Sequence, residues 1–339
     1  AAVFLAAWLG YGQWRMSSIA GMKVQKSVTA ALIQPNPTIA EKTSLKPKPR
    51  IPLHDRGEAI TRQLLSDPAT AAKVDIVIWP EGSLPFFYVH TELPENVGRK
   101  AKTRAPPVVK HTTARAHRFH KEIGKPLLLG ALRRLDPKWA KKARNSAILL
   151  DGETPRAIYD KKRLVPFGEY LPGTSLIPAL ANKIPGVSDL APGDQPSLMT
   201  IAGVRWGVNI CYEALFADFM LDHVADAEVL INLTDDLWFG PTAAAEQHLM
   251  VQYPRAIELR RPLLRATATG VSTHIDAVGN VHGRTAVWAQ ASMIATPEIR
   301  DLDSVFRHVG LWPVRAMSLA CLVLVGIAWR KRRRSLPQS

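Results

Sequence analysis

Three short segments place reactive side chains in apolar, Pro- and Gly-punctuated settings. They are Glu81 in IWPEGSLPF, Lys161 and Glu169 in YDKKRLVPFGEYLP, and Cys211 with Glu213 in GVNICYEALF. A thiol becomes a nucleophile when a base takes its proton and a cation or N–H donor awaits the oxyanion its attack creates. A carboxylate at the end of a buried strand is partly desolvated, which raises its pKa towards the range of a base working near neutrality. A lysine close by neutralises both thiolate and oxyanion. Singly, each segment has a bland reading. A glutamate after a strand commonly caps or is solvated, Lys161 beside Lys162 fits a basic turn, and a lone cysteine fits a small core hydrophobe. Together they allow acyl transfer through Cys211.

Other chemistries have less to build on. Two cysteines, Cys211 and Cys321, make no disulfide framework, and Cys321 lies in an apolar C-terminal run. His223, His248 and His274 are candidate partners for a Cys–His dyad, but none sits in a protease-like context. No His/Cys pair has metal-ligand spacing, so metal binding has little support.

The elements that must position these groups alternate strand and helix, which indicates an α/β fold. An apolar strand over Val74–Trp79 runs into Pro80-Glu81, and another over Val204–Ile210 runs into Cys211. Both groups thus sit at the carboxyl end of a strand, where reactive groups gather in α/β folds. Further strands are expected over Ser27–Gln34, Pro126–Leu132, Glu228–Leu233, Leu263–Thr269 and Val271–Val278. A hairpin is expected from Asn145–Leu150 and Arg156–Asp160 around Asp151-Gly152. Helical spacing covers Arg56–Ser66, His111–Ile123, Glu213–Val224 and Ala243–Arg261, the last with a breaker at Pro254. Leu171–Pro196 reads as a long irregular connection.

Charge and hydropathy locate the chain. The net charge is +15, and Arg99–Arg144 holds 15 lysines or arginines against Glu122 and Asp136. Such a cluster suits a polyanion, either nucleic acid or anionic lipid, and equally a plain solvated basic surface. No nucleic-acid-binding motif accompanies it, so nucleic acid is not an expected partner. Leu311–Trp329 is a 19-residue apolar run followed at once by RKRRR. That basic flank predicts a membrane span with its C-terminus in the cytoplasm and the preceding domain outside. The opening AAVFLAAWLGYGQWRM reads as the end of another apolar helix, over residues 1–16.

The three reactive segments, in this order, resemble the Glu–Lys–Cys site of the nitrilase superfamily, and within it most closely the apolipoprotein N-acyltransferases. LVPFGEYLP (Leu164–Pro172) and ICYE (Ile210–Glu213) carry the resemblance. WFG (Trp238–Gly240), Gln247-His248 and RAIELRRPLLRAT (Arg255–Thr267) agree in order and spacing. It covers Ser27 to Ile299 and the C-terminal apolar helix.

The resemblance implies a four-layer α-β-β-α sandwich flanked by transmembrane helices. A periplasmic catalytic domain would span 27–300, a C-terminal span 309–329, and a basic cytoplasmic tail 330–339, all in a bacterial inner membrane. It implies that Cys211 takes an acyl chain from the sn-1 ester of a phospholipid as a thioester. The chain then passes to the N-terminal amine of S-diacylglyceryl-cysteine on an apolipoprotein. Glu81 would be general base and Lys161 the oxyanion's cation, with no metal or organic cofactor needed. Glu169 would orient Lys161 or the amine, Glu213 would support the Cys211 loop, and the Tyr212 N–H would donate to the oxyanion. The family places Asn-Asp before Ala-Trp-Phe-Gly, where this chain has Asp235-Asp236-Leu237, and Pro254 interrupts a helix the family keeps continuous. The family also carries a multi-helix membrane domain ahead of the catalytic one, of which residues 1–16 would be the last turns. A membrane-tethered amidase is the alternative enzyme, and a non-catalytic lipid- or lipoprotein-binding module the alternative outside enzymes.

Overall fold

The structure, a computed structural model, describes residues 2–43, 47–85, 87–89, 107–134, 142–173 and 189–334. Much of the basic stretch (99–106 and 135–141), most of the irregular connection (174–188) and the end of the tail (335–339) lie outside the described residues. In chain order the strands are β1 (Lys26–Ser27), β2 (Ala30–Gln34), β3 (Ile76–Ile78), β4 (Tyr88–Val89), β5 (Leu127–Arg134), β6 (Arg144–Leu150) and β7 (Pro155–Asp160). They continue with β8 (Leu198–Ile201), β9 (Val204–Ile210), β10 (Val229–Thr234), β11 (Leu263–Thr267), β12 (Thr273–Ile275), β13 (Val281–Arg284), β14 (Ala291–Ala295) and β15 (Glu298–Ile299). The helices are α1 (Ala2–Ala20), α2 (Ile39–Thr43), α3 (Pro47–Leu65), α4 (Pro68–Lys73) and α5 (Pro107–Ile123). After them come α6 (Ala217–Val224), α7 (Ala244–Met250), α8 (Tyr253–Leu259), α9 (Val305–Val309) and α10 (Trp312–Arg334).

Two mixed sheets face one another. The first has the order β14-β2-β3-β5-β6-β7, with β4 beside β5, and the second β13-β12-β11-β10-β9-β8. In each, the central three strands run parallel: β2, β3 and β5 in one, β9, β10 and β11 in the other. Side chains alternate along each strand, so one set fills the space between the sheets and the other faces outward. Ala30, Leu32, Ile76, Ile78, Leu128 and Leu149 meet Trp206, Val208, Ile210, Ile231, Leu233 and Leu264 between the sheets. Outside the first sheet, Ala31, Ile33, Val77, Leu127 and Leu129 pack with Ile60 and Leu64 of α3 and Phe119 of α5. Outside the second, Leu230, Leu263 and Ile275 pack with Phe219, Met220 and Val224 of α6, Leu249 of α7 and Leu259 of α8. Strands buried on both faces explain the near-continuous apolar runs of the sequence. The layering is the expected α-β-β-α sandwich.

Boundaries depart from the sequence reading where a polar side chain intervenes. The first expected strand breaks at Thr29, whose N–H donates to Asp75 Oδ2 at 2.7 Å. Glu213–Val224 divides into a 3-10 turn over Cys211–Leu215 and α6, because the Glu213 carboxylate turns inward. Ala243–Arg261 divides into α7 and α8, and Pro254 falls in the first turn of α8, where its missing N–H costs nothing. Among the described residues, one helix, Trp312–Lys331, is long and apolar enough to cross a membrane by length and composition.

Candidate active site

The site gathers at strand ends of the two sheets. Glu81 follows β3, Lys161 follows β7, Cys211 follows β9, and Asp235 follows β10. Gly130 in β5 lets the Glu81 turn lie against the sheet, since a Cβ there would stand 2.5 Å from Glu81 Cα and 2.6 Å from the Pro80 oxygen. Cys211 adopts φ +56°, a left-handed conformation that costs energy in a non-glycine residue and recurs at functional sites.

Lys161, only 1 % exposed, lies between two carboxylates: Glu169 Oε1 at 2.9 Å and Glu81 Oε1 at 3.7 Å. Asn145 Nδ2 donates to both, at 2.6 Å to Glu81 and 3.0 Å to Glu169. The other Glu169 oxygen accepts the Val165 N–H at 2.9 Å, holding the LVPFGEYLP turn against the lysine. The Lys161 ammonium also stands 5.5 Å from the centre of the Tyr212 ring, whose hydroxyl donates to the Leu164 oxygen at 2.6 Å.

Glu213 is fully buried and anchors the backbone on both sides of the site. It accepts the N–H groups of Ile210 (2.7 Å), Lys162 (2.8 Å) and Arg163 (3.0 Å), and the Tyr159 hydroxyl at 2.9 Å. One carboxylate thereby fixes the residue before Cys211 relative to the two after Lys161. Asn232 in β10 completes the seat by donating to the Cys211 oxygen at 2.9 Å.

Electrostatics follow from one cation among several acids. Burial pushes Glu81 up to about 7. The Lys161 charge opposes this, the Glu169 charge reinforces it, the Asn145 bond opposes it, and Asp235 reinforces it. Burial pushes the Cys211 thiol up to about 12, with the Glu81 charge adding and Lys161 opposing. Burial works against the Lys161 ammonium, but the charges of Cys211, Glu81 and Glu169 outweigh it and raise its pKa. A neutral thiol, a carboxyl group near its midpoint at neutrality and a fixed cation can carry out nucleophilic acyl chemistry: the carboxylate takes the proton as the sulfur attacks.

The structure brings together Glu81, Lys161, Glu169, Cys211, Tyr212 and Glu213. Sequence reading did not reach Asn145, a polar residue opening a strand that is otherwise buried and apolar. The histidines lie elsewhere: His223 Nδ1 contacts the Phe219 oxygen, and His248 Nδ1 contacts Asp236 Oδ1 at 2.8 Å. Among the described residues no cluster of three or more His, Cys, Asp or Glu is arranged to hold a metal ion.

Residues 29–304 match the family model described as carbon-nitrogen hydrolase. This chain belongs to that family. Among curated relatives of the family it is 34% identical over 296 residues to an apolipoprotein N-acyltransferase of Bdellovibrio bacteriovorus, covering 83% of this chain and 50% of the relative. It is 29% identical over 281 residues to one of Geobacter metallireducens, covering 81% and 50%. The resemblance read from the motifs is borne out, and the chain spans about half the length of these relatives. In fold it is similar to a carbon-nitrogen hydrolase of Helicobacter pylori, with TM-score 0.55 at 14% identity, covering 80% of this chain and 89% of that one. It is similar also to a mutant amidase from Nesterenkonia sp. AN1 in which acrylamide has added to the active-site cysteine. The TM-score is 0.55 at 17% identity, covering 85% and 98%.

Proposed function

We propose that this chain carries the catalytic domain of a lipoprotein N-acyltransferase, with Cys211 as nucleophile, Glu81 as general base and Lys161 as the oxyanion's cation. Glu81 takes the thiol proton as Cys211 Sγ attacks the sn-1 ester carbonyl of a phospholipid. The tetrahedral oxyanion is met by Lys161 and the Tyr212 N–H. Its collapse breaks the ester C–O bond, and Glu81 returns the proton to the departing lysophospholipid alkoxide. The amine of an S-diacylglyceryl-cysteine then attacks the thioester and gives a proton to Glu81. The C–S bond breaks, the amide forms, and the thiolate is reprotonated. Glu169 holds Lys161 in line throughout, and Glu213 holds the backbone on either side.

The observation that carries this reading is Lys161 held between Glu81 and Glu169 at the strand ends beside Cys211. Acyl-chain use is supported by large apolar side chains exposed on the same loops. Phe167 is 65 % exposed beside Glu169, Trp238 is 65 % exposed beyond Asp236, and Leu215 follows Cys211. Membrane attachment is supported by α10 and by the way α1 meets the domain. Arg15 Nη2 donates to the Asp303 oxygen at 2.9 Å and Ile19 packs on Ala277 and Leu302, so the foot of α1 lies close to the chain leading into α10. With the basic tail in the cytoplasm, the domain faces the periplasm. The basic stretch 99–144 is proposed to meet anionic lipid headgroups on charge, although Arg115, Lys121, Arg133 and Arg144 within it pair with acids of the domain.

The membrane-tethered amidase remains the second reading, favoured by the likeness in fold to the Nesterenkonia amidase. Intact-protein mass spectrometry of the membrane-embedded chain with phospholipid separates the two. A hydroxylamine-labile acyl adduct on Cys211, absent from Cys211→Ser, is expected. Ammonia release from simple amides with no response to phospholipid would replace this reading with the amidase.

A further inference from the structure

Lys42 stands outside the Glu81–Lys161–Glu169 cluster but is joined to it through the main chain. Its ammonium donates to the carbonyl oxygens of Gly82 at 2.7 Å and Glu81 at 3.3 Å, and pairs with Asp235 Oδ2 at 2.9 Å. The other Asp235 oxygen accepts the Leu237 N–H at 3.1 Å. The pair therefore ties α2 to two loops at once: the one after β3 that presents Glu81, and the one after β10 that borders Cys211. Its side chains are 11 % and 4 % exposed, dry enough that each charge needs the other. Gly82 has φ +62°, and a Cβ there would lie 2.7 Å from Lys42 Nζ, so the Glu81 turn is shaped around the ammonium.

Charged and polar groups face Glu81 from every neighbouring element. Lys161 comes from the end of β7, Glu169 from the turn after it, and Asn145 from β6. Cys211 follows β9, Asp235 follows β10, and Lys42 reaches the Glu81 carbonyl from α2. Two of these, Lys42 and Asp235, have no place in the acyl-transfer steps.

We propose that the Lys42–Asp235 pair is a positioning and charge-setting device for Glu81, in which Lys42 fixes the backbone of the turn that presents the base and Asp235 holds Lys42 there with its own charge close by. This rests on the reading of Glu81 as base and Cys211 as nucleophile. The signs are opposite for the two members. Removing the Asp235 charge removes a repulsion, so Glu81 ionises more easily and the acid limb of activity moves to lower pH. Removing the Lys42 charge leaves Asp235 uncompensated, so the limb moves to higher pH. Burial remains the larger cause of the raised Glu81 pKa, with Asp235 one of the two acidic neighbours that add to it.

The test uses the full chain in phospholipid-free detergent micelles with p-nitrophenyl butyrate as acyl donor, reading the burst of p-nitrophenolate against pH. The variants are Asp235→Asn, Lys42→Met and the double variant, with Glu81→Gln as control. The limb is expected about one pH unit lower in Asp235→Asn and about one unit higher in Lys42→Met. The double variant should return close to the parent. Unmoved limbs, or single variants that shift the same way or lose only amplitude, would overturn the proposal, since a purely structural pair behaves so. Should Lys42→Met fail to fold, Asp235→Asn decides alone, because it preserves shape and the acceptor for Leu237. If Glu81→Gln itself leaves the limb in place, the base assignment fails. If Glu81→Gln abolishes the limb and the pair variants do not move it, only this inference fails.

Discussion

Two buried ionic clusters lie on the two facing sheets, and they are tuned in opposite directions. At the first, Glu81 and Glu169 share the single cation Lys161, and burial leaves Glu81 at about 7. At the second, Asp236 faces two partners. Arg265, which is fully buried, donates to its oxygens at 2.8 and 3.0 Å, and His248 contacts it at 2.8 Å. Burial works against the Asp236 charge, but Arg265 and His248 outweigh it and hold the carboxyl below its usual range. Gly270 completes the second cluster, since a Cβ there would lie 1.8 Å from Asp236 Oδ2. Both clusters are buried, so burial does not distinguish them. The sharing of the cation does: a carboxylate that must share its cation stays able to move a proton, and one with a buried arginine to itself is locked.

The comparison breaks most sharply under substitution. Glu81→Gln is expected to lower thioester formation by about 10²–10⁴-fold with no loss of thermal stability, as fits a removed general base. Burst kinetics and a thermal melt check both halves. Arg265→Met should instead leave Asp236 buried without its main partner and cost about 3–5 kcal/mol of stability, measured by denaturant unfolding. A stable Arg265→Met protein would show the second cluster to be less than a lock.

The pH dependence of stability sharpens the contrast because the two carboxyls have opposite signs. Glu81 has a folded pKa of about 7 against an ordinary 4.5, so the folded state holds the proton more tightly than the unfolded one. Stability from this group therefore falls as pH rises from about 4.5 to about 7. Asp236 is held below its ordinary 3.8, so its contribution is present above that value and lost as pH falls through the folded pKa. Glu81→Gln should flatten the neutral-side slope, and Asp236→Asn the acid-side slope. Exchanged effects would invert the assignment of poised and locked.

Much of the first cluster was legible in the sequence because its members end apolar strands. The strand expected over Val204–Ile210 is the one found, and it delivers Cys211. Glu81 and Lys161 follow strands in the same way, and Glu169 is held by its own local turn. Asn145 and Lys42 were not legible, because they reach Glu81 across 64 and 39 positions of chain. Only the pairing of β5 with β6, and the return of α2 over the sheet, bring them there. Arg265 illustrates the same limit. Within the RRPLLRAT run it reads as one more basic residue, and only the parallel register of β10 and β11 points it at Asp236. Helix boundaries failed at Glu213 for a related reason: a carboxylate that collects backbone N–H groups from two distant segments leaves no regular helix behind it.

The smallest effect concerns the one neutral member of the poised cluster. Asn145 Nδ2 donates to Glu81 and Glu169 together, so it favours the ionised base without adding a second positive charge. Replacing it by the similarly shaped leucine removes a donor to charged groups, worth about 1.5–3 kcal/mol. Part of that loss falls on the proton affinity of Glu81, whose acid limb should move to higher pH. The rate near neutrality should drop about 10-fold, by the share of the loss that reaches the base. A lysine at the same position would add a second cation beside Glu81. Asn145→Lys should therefore draw Glu81 towards the locked condition, with its limb at lower pH and a weaker base at every pH above it. The two substitutions at one site move the limb in opposite directions, and a shared direction would show that Asn145 spaces the cluster rather than tuning its charge.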